Sequence, residues 1–397
     1  VNVTAKGDGL QAEEILDISD GEVNVTTTTS TSNDFGGRVE MKDSLQMTDD
    51  EIQSMREQMN NNQFTQTEES DDSEDTSSKG IKADWMLEIS GGEVTVNSTD
   101  HAIHCTSDIN ITGGTLNLSS ESKKGISGHG DVTIDDGDIT ITKSTEGIES
   151  KKILTINGGN IDITASDDGL NSGGTGANQN GGFGGGTNMQ GGQQGGRGQI
   201  GRRNSNGQGG NQMTPPDMSS DQNGNQMTPP NMQQAEGNEQ DSEHHIQING
   251  GNIKIVADAD GIDSNGSLFI NGGTVTVDAQ PTGAESAFDT DGAFIVNGGT
   301  IIGVSGSGMD ESPNSYSAQN VILAYTTSQI SAGDEVKITD SNGKTIAEYT
   351  AVKGGSKIVY SSDKLKTGET YTVYASGEEV GSAEIESSIT KIGTKSN

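Results

Sequence analysis

Apolar and polar residues alternate in short segments along most of the chain, and turns that end in glycine separate these segments. The unit from Leu154 to Asn171 reads LTI, then the turn NGG, then NIDIT, and finally DGLN. Alternation with a period of two is typical of strands that bury one face. The pattern therefore predicts a chain built from repeated units of short strands.

These units follow one another with a regular period. The last glycine of the turn recurs at Gly21, Gly92, Gly114, Gly137, Gly159, Gly251, Gly273 and Gly299. Most neighbouring glycines are 22, 23 or 26 residues apart, while the separations of 71 and 92 residues each contain one unit and an insertion. A period of about 22 with three strand edges predicts a right-handed, three-sided parallel β-helix of about nine coils, because a left-handed hexapeptide helix repeats at about 18 residues.

Aligning the units on the turn predicts which side chains face inward. The first apolar column holds Val23, Val94, Leu116, Ile139, Ile161, Ile253, Val275 and Ile301, and the next holds Val25, Val96, Leu118, Ile141, Ile163, Ile255 and Val277. The third edge holds Leu10, Ile81, Ile103, Ile126, Ile148, Leu170, Ile262 and Phe288, followed two places later by small residues. A lone coil cannot offset the backbone entropy of about 22 ordered residues, so the coils are expected to stack.

Two insertions interrupt the predicted β-helix, which spans residues 1–315. The first, at about 27–78, contains a sequence from Thr48 to Glu51 that resembles a capping box and predicts a short helix. The second, at about 173–243, is rich in Gly, Gln and Asn and repeats QMTPP, which favours a disordered loop over a tether or partner-binding arm.

A separate module is predicted for residues 316–397, where the period disappears. All six Tyr residues of the chain lie in this part, and strand-like runs are separated by the turn signals Asn342-Gly343, Gly354-Gly355 and Gly377. The pattern predicts an antiparallel β module that caps the open end of the β-helix, since an exposed end would invite aggregation.

The composition narrows the class of protein. Only 28% of the residues are hydrophobic, and 23 basic against 59 acidic side chains give a net charge of −36. Such a charge repels nucleic acid, and no apolar run approaches the roughly 18 residues of a membrane helix. With a single cysteine, Cys105, and a polar, acidic surface, the composition favours an extracellular or cell-surface protein. We expect a monomer with no nucleic-acid partner and no membrane insertion.

Several motifs carry a resemblance to a known family. They are the recurrent DGL and DGI turns, the NGG-x-I-x-I units, the Gly/Gln/Asn-rich loop, and the sequence LKTGETYTVY that begins at Leu365. In these features the chain resembles the clostridial β-helix carbohydrate-binding proteins, whose fold is pectate-lyase-like. The resemblance implies a secreted or surface protein that carries calcium and binds plant cell-wall polysaccharide, with cellulose and acidic pectic sugars as ligand classes.

Acidic residues follow the third edge of the predicted helix. Glu149, Asn171, Asp263 and Asp289 share one column, and stacked carboxylates about 4.8 Å apart repel each other unless a cation bridges them. Calcium accepts about six to eight oxygen ligands in a loose geometry. The sequence therefore predicts a calcium site at these turns, and the alternative is a polar turn whose acidic residues are simply solvated. The candidate ligands are Asp167, Asp168, Asn171, Asp258, Asp260, Asp263, Asp289 and Asp291.

Catalysis is the weaker interpretation, and we assign no catalytic residue. A lyase needs a strong base beside a calcium-bound uronate. The coils contain no Arg, and Lys152 and Lys254 are the lysines expected nearest the acidic columns. A zinc site formed by His101, His104 and His129 is less favoured than surface histidines. Cys105 is expected to be a buried structural thiol.

Sugar binding leaves little trace in the sequence, because aromatic residues make up only 3% of the chain. Trp85 is either a stacking platform or a cap over the first insertion. A flat polar column is the second candidate surface, and its proposed ligand-binding members are Asn117, Thr140, Asp162 and Lys254.

The favoured function is non-catalytic, calcium-stabilised binding of plant cell-wall polysaccharide. The alternative is a structural or adhesive surface protein whose long loops contact a partner. Deleting residues 174–242 separates the two hypotheses, because a binding module on the coils keeps its affinity whereas an adhesin that uses the loop does not.

Overall fold

The computed structural model describes residues 1–28, 39–40, 77–173, 244–308 and 311–395. Strands dominate these residues, and all structural statements below concern them. The first twenty-six strands are β1 (Asn2–Lys6), β2 (Leu10–Ala12), β3 (Ile15–Ile18), β4 (Glu22–Thr28), β5 (Val39–Glu40), β6 (Ile81–Ala83), β7 (Met86–Ile89), β8 (Glu93–Ser98), β9 (Ile103–Cys105), β10 (Asp108–Ile111), β11 (Thr115–Ser120), β12 (Ile126–Gly128), β13 (Val132–Ile134), β14 (Asp138–Lys143), β15 (Ile148–Ser150), β16 (Ile153–Ile156), β17 (Asn160–Ala165), β18 (Leu170–Ser172), β19 (His245–Ile248), β20 (Asn252–Ala257), β21 (Ile262–Ser264), β22 (Ser267–Ile270), β23 (Thr274–Asp278), β24 (Phe288–Thr290), β25 (Phe294–Val296) and β26 (Thr300–Ser305).

These strands form three long sheets, in which each strand pairs in parallel with the equivalent strand of the neighbouring coil. Sheet 1 runs in the order β1-β4-β8-β11-β14-β17-β20-β23-β26, sheet 2 runs from β3 to β25, and sheet 3 runs from β2 to β24 with β5 beside β2. Register is kept across the second insertion, since Ile161 pairs with Ile253 and Leu170 pairs with Ile262. The predicted parallel β-helix is confirmed.

The inward columns form a continuous apolar core. Val94, Leu116, Ile253 and Val275 are 0% exposed, and their counterparts on the other two sheets are buried as well. Each coil contributes to stability mainly by burying apolar surface, which is worth about 25 cal/mol per Å². Burial on this scale requires neighbouring coils on both sides, which explains why the units occur as a stack.

The glycine of each turn is required by the backbone. Gly251 has a φ of +88°, a conformation that L side chains rarely adopt. A Cβ atom at this position would also lie 2.9 Å from the carbonyl oxygen of Gly159 in the coil below. The regular spacing of the NGG turn is thus a direct consequence of close stacking.

The remaining strands continue the structure beyond the repeat. They are β27 (Val321–Ser331), β28 (Glu335–Asp340), β29 (Thr345–Thr350), β30 (Gly354–Ser361), β31 (Thr370–Ala375), β32 (Glu378–Glu384) and β33 (Ile389–Gly393). Strands β28, β29, β31 and β32 form a separate four-stranded antiparallel sheet, which confirms the small antiparallel sheet predicted from the sequence. The turns at Asn342-Gly343 and Gly377 join its hairpins.

The other three C-terminal strands extend sheet 1, which the sequence did not predict. Strand β30 pairs antiparallel with β26 and β27, and β27 pairs in parallel with β33. Gly354 and Gly355 belong to β30 and pair with β27, whereas the sequence had placed a turn there. Val321, Leu323 and Val359 join the core of the β-helix, so these strands cover the end of its apolar interior.

Two sequence predictions fall outside the described residues: the short helix near Thr48 and the disorder of the second insertion. The domain boundary at residue 316 stays a prediction.

Candidate functional site

One column of outward side chains on sheet 3 gathers most of the unusual chemistry of the described chain. It consists of the middle residue of each short strand, and we call it the sheet 3 column. Its members, in register from coil to coil, are Gln11, Lys82, His104, Ser127, Glu149, Asn171, Asp263 and Asp289.

The middle of the column is buried although it faces away from the core, and the members at both ends are partly exposed. His104 and Ser127 are 1% exposed, Glu149 is 2% exposed and Asn171 is 9% exposed. Burial strengthens electrostatic interactions because water no longer screens them. The sequence predicted the acidic members and their alignment, and the register confirms that alignment. It missed the burial and the continuation through His104 and Ser127, although the same alignment on the glycine turn would have placed both residues there.

The C-terminal end of the column is acidic. The Nδ2 group of Asn171 donates to Asp168 at 3.3 Å and to Asp263 at 3.5 Å. The backbone N–H of Asp260 donates to Asp168 at 3.1 Å, and that of Ser286 donates to Asp260 at 2.5 Å. These contacts hold carboxylates from neighbouring coils close to one another.

Burial and mutual repulsion raise the pKa of these carboxyl groups. Loss of hydration raises the pKa of Asp263 to about 8, and the carboxylates of Asp168, Asp289 and Asp291 add to the shift. The same loss, together with the neighbouring Asp167, raises the pKa of Asp168 to about 6. Burial also raises the pKa of Asp260. Ionisation of these carboxyl groups is therefore unfavourable, and a bound cation would relieve that cost.

The donor chemistry of this end fits a hard cation. The buried Oδ1 atom of Asn171 and the Oε2 atom of Glu146 have no hydrogen-bond partner, which leaves two oxygen acceptors unsatisfied. Carboxylate and amide oxygens are the ligands that calcium takes. No three His, Cys, Asp or Glu side chains in the described ranges already converge on one point as a metal site. A cation at Asp168, Asn171 and Asp263 would therefore have to draw these side chains inward.

The other predicted calcium ligands lie in different environments. Asp258 has a side chain that is 66% exposed and contacts Lys353 of the C-terminal strands. Asp167 and Asp291 are exposed, while Asp289 is partly buried and belongs to the sheet 3 column. The geometry thus groups Asp168, Asn171, Asp260, Asp263 and Asp289 and places the rest at the periphery.

An ion cluster around the buried Glu149 occupies the middle of the column, and its other charged members are 15–21% exposed. Glu149 contacts the ammonium groups of Lys124 and Lys151, the latter at 3.1 Å, and accepts a hydrogen bond from Ser127 at 3.0 Å. Burial opposes ionisation of Glu149, but the two lysines outweigh it and hold its pKa below the ordinary value. Lys124 also lies 3.5 Å from Glu146, whose pKa is raised to about 7 chiefly by burial.

These contacts correct the expectation about lysines. Lys254 lies on sheet 1, where its Nζ atom is 3.4 Å from the Asp162 carboxylate and its side chain is 49% exposed. Lys82 belongs to the sheet 3 column itself, and the lysines that contact its acidic residue Glu149 are Lys124 and Lys151, whose turns flank the short strands. Lys152 is exposed.

Three histidine rings gather around His104 in the N-terminal half of the column, which we call the histidine end. His104 is buried, so the prediction of a surface residue is wrong for it, whereas His101 and His129 are partly exposed. The ring of His104 stacks on His101 at a centroid distance of 5.0 Å and meets His129 edge-on at 4.9 Å. Both ring nitrogens of His104 are buried without a hydrogen-bond partner. Burial, followed by the nearby positive charges, lowers the pKa of His101 and His104 well below the ordinary value.

Cys105 follows His104 and faces the interior, as predicted. It is 0% exposed, and burial raises the pKa of its thiol to about 12. Such a thiol stays protonated at neutral pH and has no nucleophilic role.

The predicted sugar-binding residues fall into two separate places. Asn117, Thr140, Asp162 and Lys254 lie on adjacent strands of sheet 1 in one outward column. Trp85 lies in the turn before β7, where its backbone N–H donates to the carbonyl of Glu14. The structure therefore does not bring Trp85 together with the polar column.

The repeated coils match the model of a known family, described as "Carbohydrate-binding domain-containing protein". Two overlapping matches cover residues 1–123 and 114–199, which together make up half of the chain. The chain belongs to this family. Membership supports binding of carbohydrate, and the coils that match include the histidine end, the ion cluster and the first acidic residues of the sheet 3 column.

The other comparisons add nothing to this assignment. No curated protein matches the chain, and no solved structure matches it. In the ranges that the structure describes, no helix is long and apolar enough to cross a membrane.

Proposed function

We propose that this protein is a non-catalytic, calcium-stabilised binding protein for plant cell-wall polysaccharide, acting outside the cell or at its surface. Membership of a carbohydrate-binding family supports polysaccharide as the ligand. The polar, acidic composition supports a location outside the cell or at its surface. The proposal of a calcium site rests on the acidic end of the sheet 3 column. There, Asn171 leaves a buried acceptor unsatisfied and Asp263 keeps a strongly raised pKa.

Calcium would serve two purposes in this proposal. Bound at Asp168, Asn171 and Asp263, it would remove the repulsion between stacked carboxylates and so stabilise the coils. It would also let a protein with a net charge of −36 approach an acidic polysaccharide, because a divalent ion attracts carboxylates from both partners. Without the ion, the net charge opposes binding of pectic sugars.

The first experiment mixes the protein with polygalacturonate in millimolar calcium and follows two signals. Retardation in a native gel reports binding, and ultraviolet absorbance reports unsaturated products of a lyase. We expect retardation with flat absorbance. Rising absorbance would contradict the non-catalytic proposal and direct mutagenesis to Lys124 and Lys151, the lysines in contact with the column.

A second measurement tests the calcium site directly. The midpoint of thermal unfolding is compared in calcium and in excess EDTA for the native chain and for Asp263→Asn. A ligand at about 100 times its Kd stabilises by about 2.7 kcal/mol, so the native midpoint should fall by several degrees on chelation. The difference should largely disappear in Asp263→Asn. The control Glu121→Gln changes a carboxylate that is 60% exposed and should behave like the native chain. Identical melts of the native chain in calcium and in EDTA would remove calcium from the proposal.

A further inference from the structure

Part of the outer face of sheet 2 carries no charged side chain. The outward residues in one column of adjacent strands are Thr133, Thr155, Gln247, Phe269 and Ile295. Beside them lie Ile153, His245 and Ser267, again in register. The earlier strands of the same sheet carry Asp17, Glu88 and Asp108 outward. The exposed carboxylate of Asp131, which accepts a hydrogen bond from the backbone N–H of Ile153, borders this area on the coil of Thr133. An uncharged area over the four coils from Thr155 to Ile295 still stands out on a chain with a net charge of −36.

An aromatic pair lies within this area. Phe269 is half-buried between the fully buried Leu268 and Ile270, so its ring lies on the outer face. The ring of His245 meets it edge-on at a centroid distance of 5.9 Å. Burial lowers the pKa of His245 in spite of the nearby Asp131 carboxylate, which raises it, and so favours the neutral imidazole. Two uncharged rings in fixed contact offer an apolar platform of the kind on which the C–H face of a sugar ring packs.

A ladder of side-chain amides borders the same area. The Nδ2 group of each asparagine donates to the oxygen of the preceding coil, from Asn157 to Asp135 at 2.7 Å, from Asn249 to Asn157 at 2.7 Å, from Asn271 to Asn249 at 2.9 Å and from Asn297 to Asn271 at 2.8 Å. Gln247 of the uncharged column also donates to Asn249, at 2.9 Å, which connects the two features. The ladder thus fixes each amide in place.

Fixed amides suit hydroxyl ligands. In the ladder each Nδ2 uses one of its two hydrogens, so the second can be donated to a ligand. Asn157, Asn271 and Asn297 are exposed, so these hydrogens can reach one. Because the side chains are already ordered, a ligand would not have to offset their rotamer entropy, which ordinarily weakens binding by about 0.5–1.5 kcal/mol per side chain.

We propose that this uncharged face of sheet 2, with Phe269, His245 and the amide ladder, is the binding site for a neutral polysaccharide chain. The inference rests on the carbohydrate-binding function proposed above and names its site. Sugar rings pack on Phe269 and His245, and hydroxyl groups bond to Gln247 and the ladder asparagines. The chain lies along the stack of coils, because both the column and the ladder run in that direction at the coil spacing of about 4.8 Å. The site is separate from the acidic residues of sheet 3, so its affinity does not depend on calcium.

The test measures binding of the full chain to amorphous cellulose, a neutral glucan, by depletion from solution in calcium and in EDTA. We expect equal binding in both conditions. Phe269→Ala should weaken binding about tenfold or more, and Phe269→Trp should retain it, since a larger ring keeps the platform. Met86→Ala is the matched control, because Met86 also lies outward on sheet 2 but outside the uncharged area. Far-ultraviolet circular dichroism checks that each variant is folded.

Three outcomes would contradict the proposal in different ways. If the native chain binds cellulose and Phe269→Ala binds equally well, the site lies elsewhere and the carbohydrate-binding function stands. If chelation abolishes binding to cellulose, the calcium-independent site is wrong. If the native chain binds neither cellulose nor polygalacturonate, both the site and the proposed function fail.

Discussion

The two ends of the sheet 3 column have the same backbone and opposite chemistry. At one end, His104 is buried among imidazole rings with both nitrogens unsatisfied. At the other, Asp263 is held beside Asp168 and Asn171 with a pKa of about 8. Each end therefore contains polar groups that lose hydration without full compensation. Stacked coils repeat one geometry, so the chemistry of a site on them is set by the side chain that each coil contributes.

The two ends should respond to acid in opposite directions. The folded pKa of Asp263 lies above the ordinary value of about 3.9, so the folded state binds the proton more tightly and stability rises as pH falls from about 8 towards 4. The folded pKa of His101 and His104 lies below 6.5, so the unfolded state binds protons more tightly and stability falls as pH falls below about 6.5. The pH dependence of the native chain is the sum of both effects.

The largest expected effect comes from the ion cluster that separates the two ends. Lys124→Met removes a partner of both Glu149 and Glu146 whose own side chain is 17% exposed. Loss of one partner of a buried pair typically costs about 3 kcal/mol, and Lys151 still supports Glu149, so we expect a loss at or somewhat below that value. The midpoint of thermal unfolding measures it.

A matched variant separates burial from charge in this comparison. Lys143→Met removes the partner of Glu121 in a pair whose side chains are 54% and 60% exposed. Solvent screens such a pair, so its loss should cost less than about 1 kcal/mol. Equal effects of Lys124→Met and Lys143→Met would show that the buried cluster adds no special stability.

A smaller effect is expected at the acidic end. In EDTA, Asp263→Asn should be more stable than the native chain near pH 9, because the native carboxyl group is then forced to ionise with no cation beside it. We expect a gain of roughly 1 kcal/mol, or about 2–4 °C in the midpoint, that shrinks to zero by about pH 4. Thermal melts across this range measure the difference. The exposed Asp291→Asn is the control; if it gives the same pH profile, burial is not the cause of the effect.

The histidine end should give an effect of similar or smaller size with the opposite sign. His104→Phe keeps an aromatic ring between His101 and His129 but cannot be protonated. The test uses Asp263→Asn as the parent, because this substitution removes the opposing pH dependence of Asp263. Between pH 7 and pH 5 the double variant with His104→Phe should lose less stability than this parent, by about 1 kcal/mol or less. His101 keeps part of the acid response. An unchanged slope would mean that His104 is not the group whose protonation unfolds the chain.

The β-helix was predictable because its pattern is local and repeated. Each inward position, such as Ile161 or Ile253, lies at a fixed distance from a glycine turn, and stacking imposes the same register on every coil. The C-terminal strands were harder to place. Whether β30 joins sheet 1 depends on its pairing with β26, a contact between distant residues that leaves no periodic trace in the sequence.

The candidate sites were predictable only in part, for a related reason. The alignment of Glu149, Asn171 and Asp263 follows from the repeat, and the register confirms it. The burial of that column depends on side chains from flanking turns, such as Lys124, and these vary between coils. Phe269 and the amide ladder were not predicted. Phe269 stands at a position where the other coils carry polar residues or Ile, so the repeat gives no signal for it. The asparagine of the NGG turn is typical of turns in general, and its bond to the neighbouring coil becomes visible only in the stacked structure.

The smallest expected effect concerns Lys254 on sheet 1. Its ion pair with Asp162 is about half exposed on both sides, so Lys254→Ala should change stability by no more than about 0.5 kcal/mol. If neutral polysaccharide binds on sheet 2, the same variant should also leave binding to amorphous cellulose unchanged, because Lys254 faces outward from a different sheet. Depletion assays with Lys254→Ala and Phe269→Ala side by side measure this. Weaker binding of Lys254→Ala alone would transfer the glycan site to the polar column of sheet 1, where Asn117 and Thr140 lie in line with it.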